Sequence, residues 1–175
     1  MADLRYPIGP FARPELPLTP GGRAAALRTL SEFPARMRLA CAGLSEAQLD
    51  TPYRPGGWTV RQVVHHTADS HLNAYIRMKF AMTEDHPAVK PYAEGDWAEL
   101  ADARSAPVAL SLDLLDALHA RLVLALKALP PEGFARTLFH PEHGSMTVDY
   151  YVALYDWHCR HHTAHVTALR EREGW

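Results

Sequence analysis

Apolar residues recur with a helical period of about 3.6 in four long stretches of the chain, and capping signals mark where those stretches begin. Thr19 is placed to cap a first helix, with Pro20 at its first position, and the helical pattern holds from Ala24 to Leu44. Pro34 interrupts that pattern and removes a backbone donor, so it predicts a kink or restart near Phe33. Ser45 to Gln48 has the form of a capping box and predicts a short helical turn. After the Gly56-Gly57 hinge and Trp58, Thr59 to Gln62 is a second capping box. It opens a helix whose stripe, Val60, Val64, Thr67, His71, Ala74/Tyr75, Met78 and Met82, reaches about residue 83. A third helix, opened near Ser105/Pro107, spans Leu110 to Leu129 and turns Leu112, Leu115, Leu118/His119, Leu122 and Leu126 inward. Thr147 caps the fourth, with Asp149 in its first turn to complement the helix dipole, and the pattern runs to about Arg172.

The stretches between these helices follow other rules. Residues 3–18 carry four prolines and no period, which predicts an extended arm that Tyr6, Ile8 and Phe11 could pin to the body. Residues 84–106 are rich in acid, proline and glycine and form a long connection. In a bundle such a connection can carry the chain from one end to the other, leaving the next helix parallel to the last. Pro130-Pro131 ends the third helix, and the strand-like TLF followed by HPEHG predicts a small hairpin or irregular loop between Phe134 and Met146. The expectation is an all-α four-helix bundle forming one domain over residues 1–175.

Composition narrows the partners. A net charge of −2 provides no basic field for a phosphate backbone, so nucleic acid is not expected. Two cysteines, Cys41 and Cys159, are too few for a disulfide scaffold and read as buried small hydrophobes in a reducing compartment. No apolar run approaches the ~18 residues that span a bilayer, and the N-terminus has no hydrophobic signal core. A cytoplasmic protein with no membrane partner is expected.

Histidine changes the picture. Trp157 to His165 reads WHCRHHTAH and places His158, His161, His162 and His165 within an arc of about 100° on the fourth helix. A lone histidine on an apolar face is more often a hydrogen-bonded core residue than a ligand; four on one arc are harder to satisfy that way. Two pairs, His158 with His162 and His161 with His165, have the i,i+4 spacing that lets ring nitrogens converge on one ion. On the second helix His66, Ser70, Asn73 and Arg77 form a polar line beside the apolar stripe. Its plain reading is a solvated face; its functional reading is a pocket wall, with His66 as third metal ligand and Asn73 or Arg77 facing a substrate. By the same weighing, His65 and Asp69 read as a surface pair, His119 as a satisfied core histidine, and His140, Glu142 and His143 as an exposed turn rather than a metal site.

These features together resemble the DinB/YfiT superfamily. The likeness is carried by PYRPGGWTVRQVVHHTADSHLNAYIRMKFAMTED, by YPIG near the N-terminus, by the His eight residues after Trp58, and by WHCRHHTAHVTALRE. The resemblance implies an up-down-down-up bundle and one divalent ion per chain, zinc or nickel, held by His66, His161 and His165. It further implies a metal-dependent enzyme, read first as a transferase of a small thiol such as bacillithiol and second as a hydrolase using metal-activated water. A metal-binding stress-response protein without turnover is the reading of a different class. HHTAH differs from the HExxH helix of zinc peptidases, because His162 stands where the general-base Glu would be. No G-x-S-x-G elbow, phosphate-cradling loop or dinucleotide fingerprint is present. The expected partners are a small-molecule substrate, a low-molecular-weight thiol and, as a homodimer, a second copy of the chain.

Overall fold

The computed structural model describes residues 3–175. Four long helices, α1 (Pro20–Cys41), α3 (Val60–Thr83), α6 (Val108–Lys127) and α7 (Val148–Glu173), carry the core. Between them lie α2 (Glu46–Leu49), α4 (Glu94–Ala98), α5 (Ala101–Ser105), a 3-10 turn at Pro131–Ala135, and a hairpin of β1 (Thr137–His140) with β2 (Gly144–Thr147). The hairpin is antiparallel, with Leu138 opposite Met146. The long helices run up-down-down-up. α1 packs on α6 and α7, and α3 packs on the same two, so α1 and α3 occupy opposite corners.

The start signals operate as the residues dictate. Thr19 accepts from the Gly22 amide, Ser45 and Thr59 each close a full capping box with Gln48 and Gln62, and Thr147 accepts from Tyr150. The inward set of α6 is buried at every expected position from Leu112 to Leu126. Leu30, Phe33, Met37, Val64, Met78, Leu122, Leu126 and Val152 fill the centre of the bundle, almost wholly buried.

Of the kink or restart expected at Pro34, the restart does not occur: helix α1 runs through it unbroken. The connection 84–106 is not irregular throughout: α4 and α5 fold against α3, with Gln62 Nε2 donating to the Ala98 carbonyl at 2.8 Å and Arg61 Nη1 to that of Ala106 at 3.0 Å. That cover also buries His65, which engages Ser111 Oγ at 2.7 Å and the Ala106 carbonyl at 3.1 Å instead of pairing with Asp69 at the surface. Asp149 does more than face a helix dipole. It is buried and receives Arg23 through two bonds, 2.7 and 2.8 Å, and the Leu18 amide at 2.9 Å, which ties the end of the arm and α1 to α7.

The arm lies along α7, and its grip is mostly backbone. The Gly9 carbonyl accepts from Trp157 Nε1 at 3.1 Å and the Arg5 carbonyl from His165 at 3.1 Å, while Phe11 packs edge-on against Tyr150. Tyr6 and Ile8 remain largely exposed.

Candidate metal centre

α3 contributes His66 and α7 contributes His158, His161, His162 and His165; all are buried except the half-buried His158. Two overlapping sets of ligand nitrogens lie within 4.8 Å of one another: His66 with His158 and His162, and His161 with His162 and His165. The combination that the resemblance implied, His66 with His161 and His165, is not one of the converging sets. The helical geometry explains the difference. His158 and His162 stand on the side of α7 that faces α3, with ring centroids 5.5 and 4.9 Å from that of His66. His161 is turned toward Trp157, on which it stacks at 4.2 Å. His165 lies under the arm, against Tyr53 at 4.0 Å.

Burial holds these rings neutral. It pushes His66 down to about 4, with the neighbouring His165 adding to the effect, and His161 down to about 4 with His165 and His66 behind it. Burial takes His158 and His162 well below the usual range, each assisted by the surrounding imidazoles. His165 is lowered too, by burial first, against the opposing bond to the Arg5 carbonyl. A neutral imidazole offers one N–H and one lone pair, so the hydrogen-bond partners decide which nitrogen is free for a metal.

Those partners form two chains, each beginning at a backbone carbonyl. The first starts at Pro34. Having no N–H, Pro34 leaves the carbonyl of Leu30, four residues earlier, without its helical donor. His119 Nδ1 supplies one at 2.6 Å. A carbonyl can only accept, so the His119 proton is on Nδ1 and its Nε2 is an acceptor, which takes the Nδ1–H of His71 at 2.7 Å. His71 Nε2 then accepts the Nδ1–H of His158 at 2.9 Å. This leaves the lone pair of His158 on Nε2, 3.5 Å from the Ser70 hydroxyl. The second chain starts at the Arg5 carbonyl, which takes the Nε2–H of His165. His165 Nδ1 accepts from His162 Nδ1 at 3.3 Å, and the His162 lone pair is therefore also on Nε2. Neither ring nitrogen of His66 has a hydrogen-bond partner among the described residues.

His119 is thus the satisfied core histidine the sequence suggested. What sequence reading missed is that it and His71, placed on the apolar stripe of α3, set the state of His158. The available signal was the pairing of an in-helix proline with two histidines on inward faces.

A cavity of about 270 Å³ reaches His158 from the surface, lined by Ser70, Arg77, Tyr92, His140, His143 and Tyr155 among others. Arg77 therefore faces a pocket. Asn73 does not line it; its amide donates to the Asp69 carbonyl of its own helix at 2.9 Å. In the hairpin His140 is buried beneath the stacked, exposed His143 rather than lying in a wholly exposed turn. His140, Glu142 and His143 also lie within 4.8 Å of one another.

A four-helix bundle with a crossover connection and a buried set of neutral histidines defines a metal-site bundle. The DinB superfamily profile matches residues 29–166, and the chain belongs to that family. Over all 175 residues, and the full length of both chains, it is 49% identical to a Bacillus cereus (strain B4264) protein and 50% identical to a Bacillus mycoides (strain KBAB4) protein. Both are named "Putative metal-dependent hydrolase". The solved structure of YfiT from Bacillus subtilis, described as a probable metal-dependent hydrolase with an unusual four-helix bundle topology, superposes with a TM-score of 0.96 at 44% identity, covering 99% of each chain. The designation of these relatives as metal-dependent supports a divalent ion. No helix is long and apolar enough to cross a membrane among the described residues.

Proposed function

We propose that this chain is a metal-dependent hydrolase whose divalent ion is held by His66, His158 and His162. The observation that carries the reading is the termination of both hydrogen-bond chains in Nε2 lone pairs on His158 and His162, beside a His66 with no other partner. Ligating histidines elsewhere donate their second N–H to an oriented acceptor in this way, and His71 and His165 fill that role here. The donor set fits an ion: three neutral imidazoles suit zinc or nickel and leave coordination positions for water or substrate. Such an ion lowers the pKa of a water or thiol and polarises a carbonyl. The chain's own residues then bind and orient. Ser70, held by Tyr155 at 3.1 Å, and Arg77 line the same cavity as His158.

Thiol transfer is the second reading. The two converging sets in the bundle consist of histidine alone, so no carboxylate stands among them to act as general base, and a thiol needs less help than water because it gives up its proton more readily.

Metal analysis of four variants tests the ligand assignment. His66→Ala, His158→Ala and His162→Ala should each lose the ion, while His161→Ala should keep it. Retention in the His158 variant with loss in the His161 variant would restore the set implied by the resemblance. An ester and amide screen run with and without a small thiol separates the chemistries: turnover without thiol supports hydrolysis, and turnover only with thiol would overturn it.

A further inference from the structure

Arg77 is a buried cation with no anion. Its residue is 9% exposed, and among the described residues no carboxylate lies within ion-pair distance of its guanidinium. One donor, Nη2, is used by the Lys90 carbonyl at 2.7 Å. A guanidinium cannot escape by giving up its proton, and leaving one desolvated without a counter-charge is costly. The other arginine buried to that depth among the described residues, Arg61, is neutralised by Glu46 and Asp50.

A second observation lies beside it. The Tyr92 hydroxyl, on the same cavity, is buried without a hydrogen-bond partner. Burial pushes its pKa up to about 12, so it stays an O–H donor. Ser70, the neighbouring hydroxyl on the cavity wall, is held by Tyr155. A third donor comes from the hairpin: His140 Nδ1 accepts the Glu142 amide at 3.3 Å, and burial keeps that ring neutral more than its neighbours do, which puts its proton on Nε2. An unsatisfied hydroxyl, an arginine without a counter-charge and a neutral imidazole therefore border one cavity that His158 also lines. Glu94 sits at the exposed rim and does not reach Arg77.

We propose that this cavity is a carboxylate subsite, in which the substrate's acid group is held by Arg77 and Tyr92 while its reacting end reaches the histidine cluster. The substrate class is thus a small carboxylic acid carrying an ester, amide or other electrophilic group. The anion contact is made by protein donors alone; only the assignment of the reacting end rests on the proposed metal site. Arg77 is a binding and positioning residue.

The test uses propionate and its uncharged isostere propionamide, titrated by NMR into the full-length protein, both metal-loaded and chelated. Propionate should bind about tenfold or more tightly than propionamide, the gain expected of one charge-assisted contact, and should shift the Arg77 Nε–Hε signal in both metal states. Arg77→Gln should abolish the preference. Tyr92→Phe, which removes one hydroxyl and keeps the ring, should weaken propionate several-fold and leave propionamide nearly unchanged, so the proposal stays testable if the Arg77 variant does not fold. Equal binding of the two probes, a preference that survives Arg77→Gln, or a preference lost on chelation would overturn it, the last by making the carboxylate a metal ligand. Failure of the metal-site reading would appear instead as missing metal or missing turnover, with the chelated-protein titration unaffected.

Discussion

Replacing His119 with phenylalanine should damage two properties of the protein at once, because His119 joins a stability debt in α1 to the state of a histidine in the candidate metal centre. His119 is 1% exposed and bonds the Leu30 carbonyl at 2.6 Å and His71 at 2.7 Å. Phenylalanine fills the space but offers no donor and no acceptor. The Leu30 carbonyl, already deprived of a helical donor by Pro34, is left bare, and so is the His71 Nδ1–H. At ~1–3 kcal/mol for each buried group left unsatisfied, the loss is ~2–6 kcal/mol. For a chain of this length that is ~2–4 °C in Tm per kcal/mol. His119→Asn keeps a donor for Leu30 and should cost less. The second effect is chemical. Without an acceptor for its Nδ1–H, His71 is driven to the other tautomer, with its proton on Nε2 facing His158. His158 must then accept on Nδ1 and carry its own proton on Nε2, where the ion would sit. Ring-nitrogen NMR reads this directly: wild-type His158 should be protonated on Nδ1, and the His119→Phe protein should show a shift toward Nε2. Metal affinity should fall within the ~10–100-fold range that accompanies loss of an orienting partner. A wild-type His158 protonated on Nε2, or a His119→Phe protein unchanged in both stability and tautomer, would refute the reasoning.

Three other outcomes are expected. Asp149→Ala should be among the most damaging changes away from the histidines, because it leaves Arg23 and the Leu18 amide without partners; breaking a buried pair costs ~3–5 kcal/mol, and the partial exposure of Arg23 places this one near the lower end, as urea denaturation will show. The metal-free protein should lose stability as pH falls from 6.5 toward 4: burial lowers His119 from 6.5 to about 4, so the unfolded chain takes up a proton there that the folded one refuses, and at ~1.4 kcal/mol per pH unit this one ring contributes ~3 kcal/mol. Denaturation at pH 7.5 and pH 4.5 checks the sign, and His119→Phe should have a shallower dependence than wild type. Chelation should lower Tm while leaving the helical circular-dichroism signal intact at room temperature, since the apolar core stands without the ion; collapse of that signal would make the metal structural.

Much of the fold was legible because three of the four long helices announce themselves twice, through stripe and cap, while α6, opening at Pro107 without a side-chain cap, is marked by its leucine stripe. Thr19, Ser45, Thr59 and Thr147 are local signals, and local signals survive in a sequence read alone. Helices α4 and α5 carry none: neither has a side-chain cap, and each is only five residues long. They form because Gln62 and Arg61 on α3 reach across to carbonyls at and beyond their ends, a contact between residues some forty positions apart that no window can display. The same cover explains His65, whose i,i+4 relation to Asp69 looks superficial until α5 and Ser111 are laid over it.

The candidate site divides along the same line. That the histidines of α7 share one face could be read from spacing, because i,i+4 pairs do so wherever the helix sits; His66 as their partner came from the polar line on α3 and the family resemblance. Which pair would meet it could not be read, because the choice depends on how α7 is rotated about its axis, which follows from the packing of the whole bundle, where Val152, Tyr155 and Val166 of α7 join the core. Once the rotation is fixed, most of the remaining imidazoles are not spare ligands; among them His161 keeps a buried ring nitrogen, Nδ1, without a partner. A buried neutral ring must place both a proton and a lone pair, and His71, His119 and His165 place theirs in an order that runs from carbonyl to cluster. Pro34 belongs to that order as firmly as any histidine. In α1 alone it is a defect costing one hydrogen bond; opposite His119 it is the reason a backbone carbonyl is free to fix the protonation pattern of two further rings. An alanine at position 34 would restore the helical donor and compete with His119 for the Leu30 carbonyl. Pro34→Ala is therefore expected to stabilise α1 in isolation yet loosen the tautomer of His158, an outcome that a purely structural role for the proline would not produce.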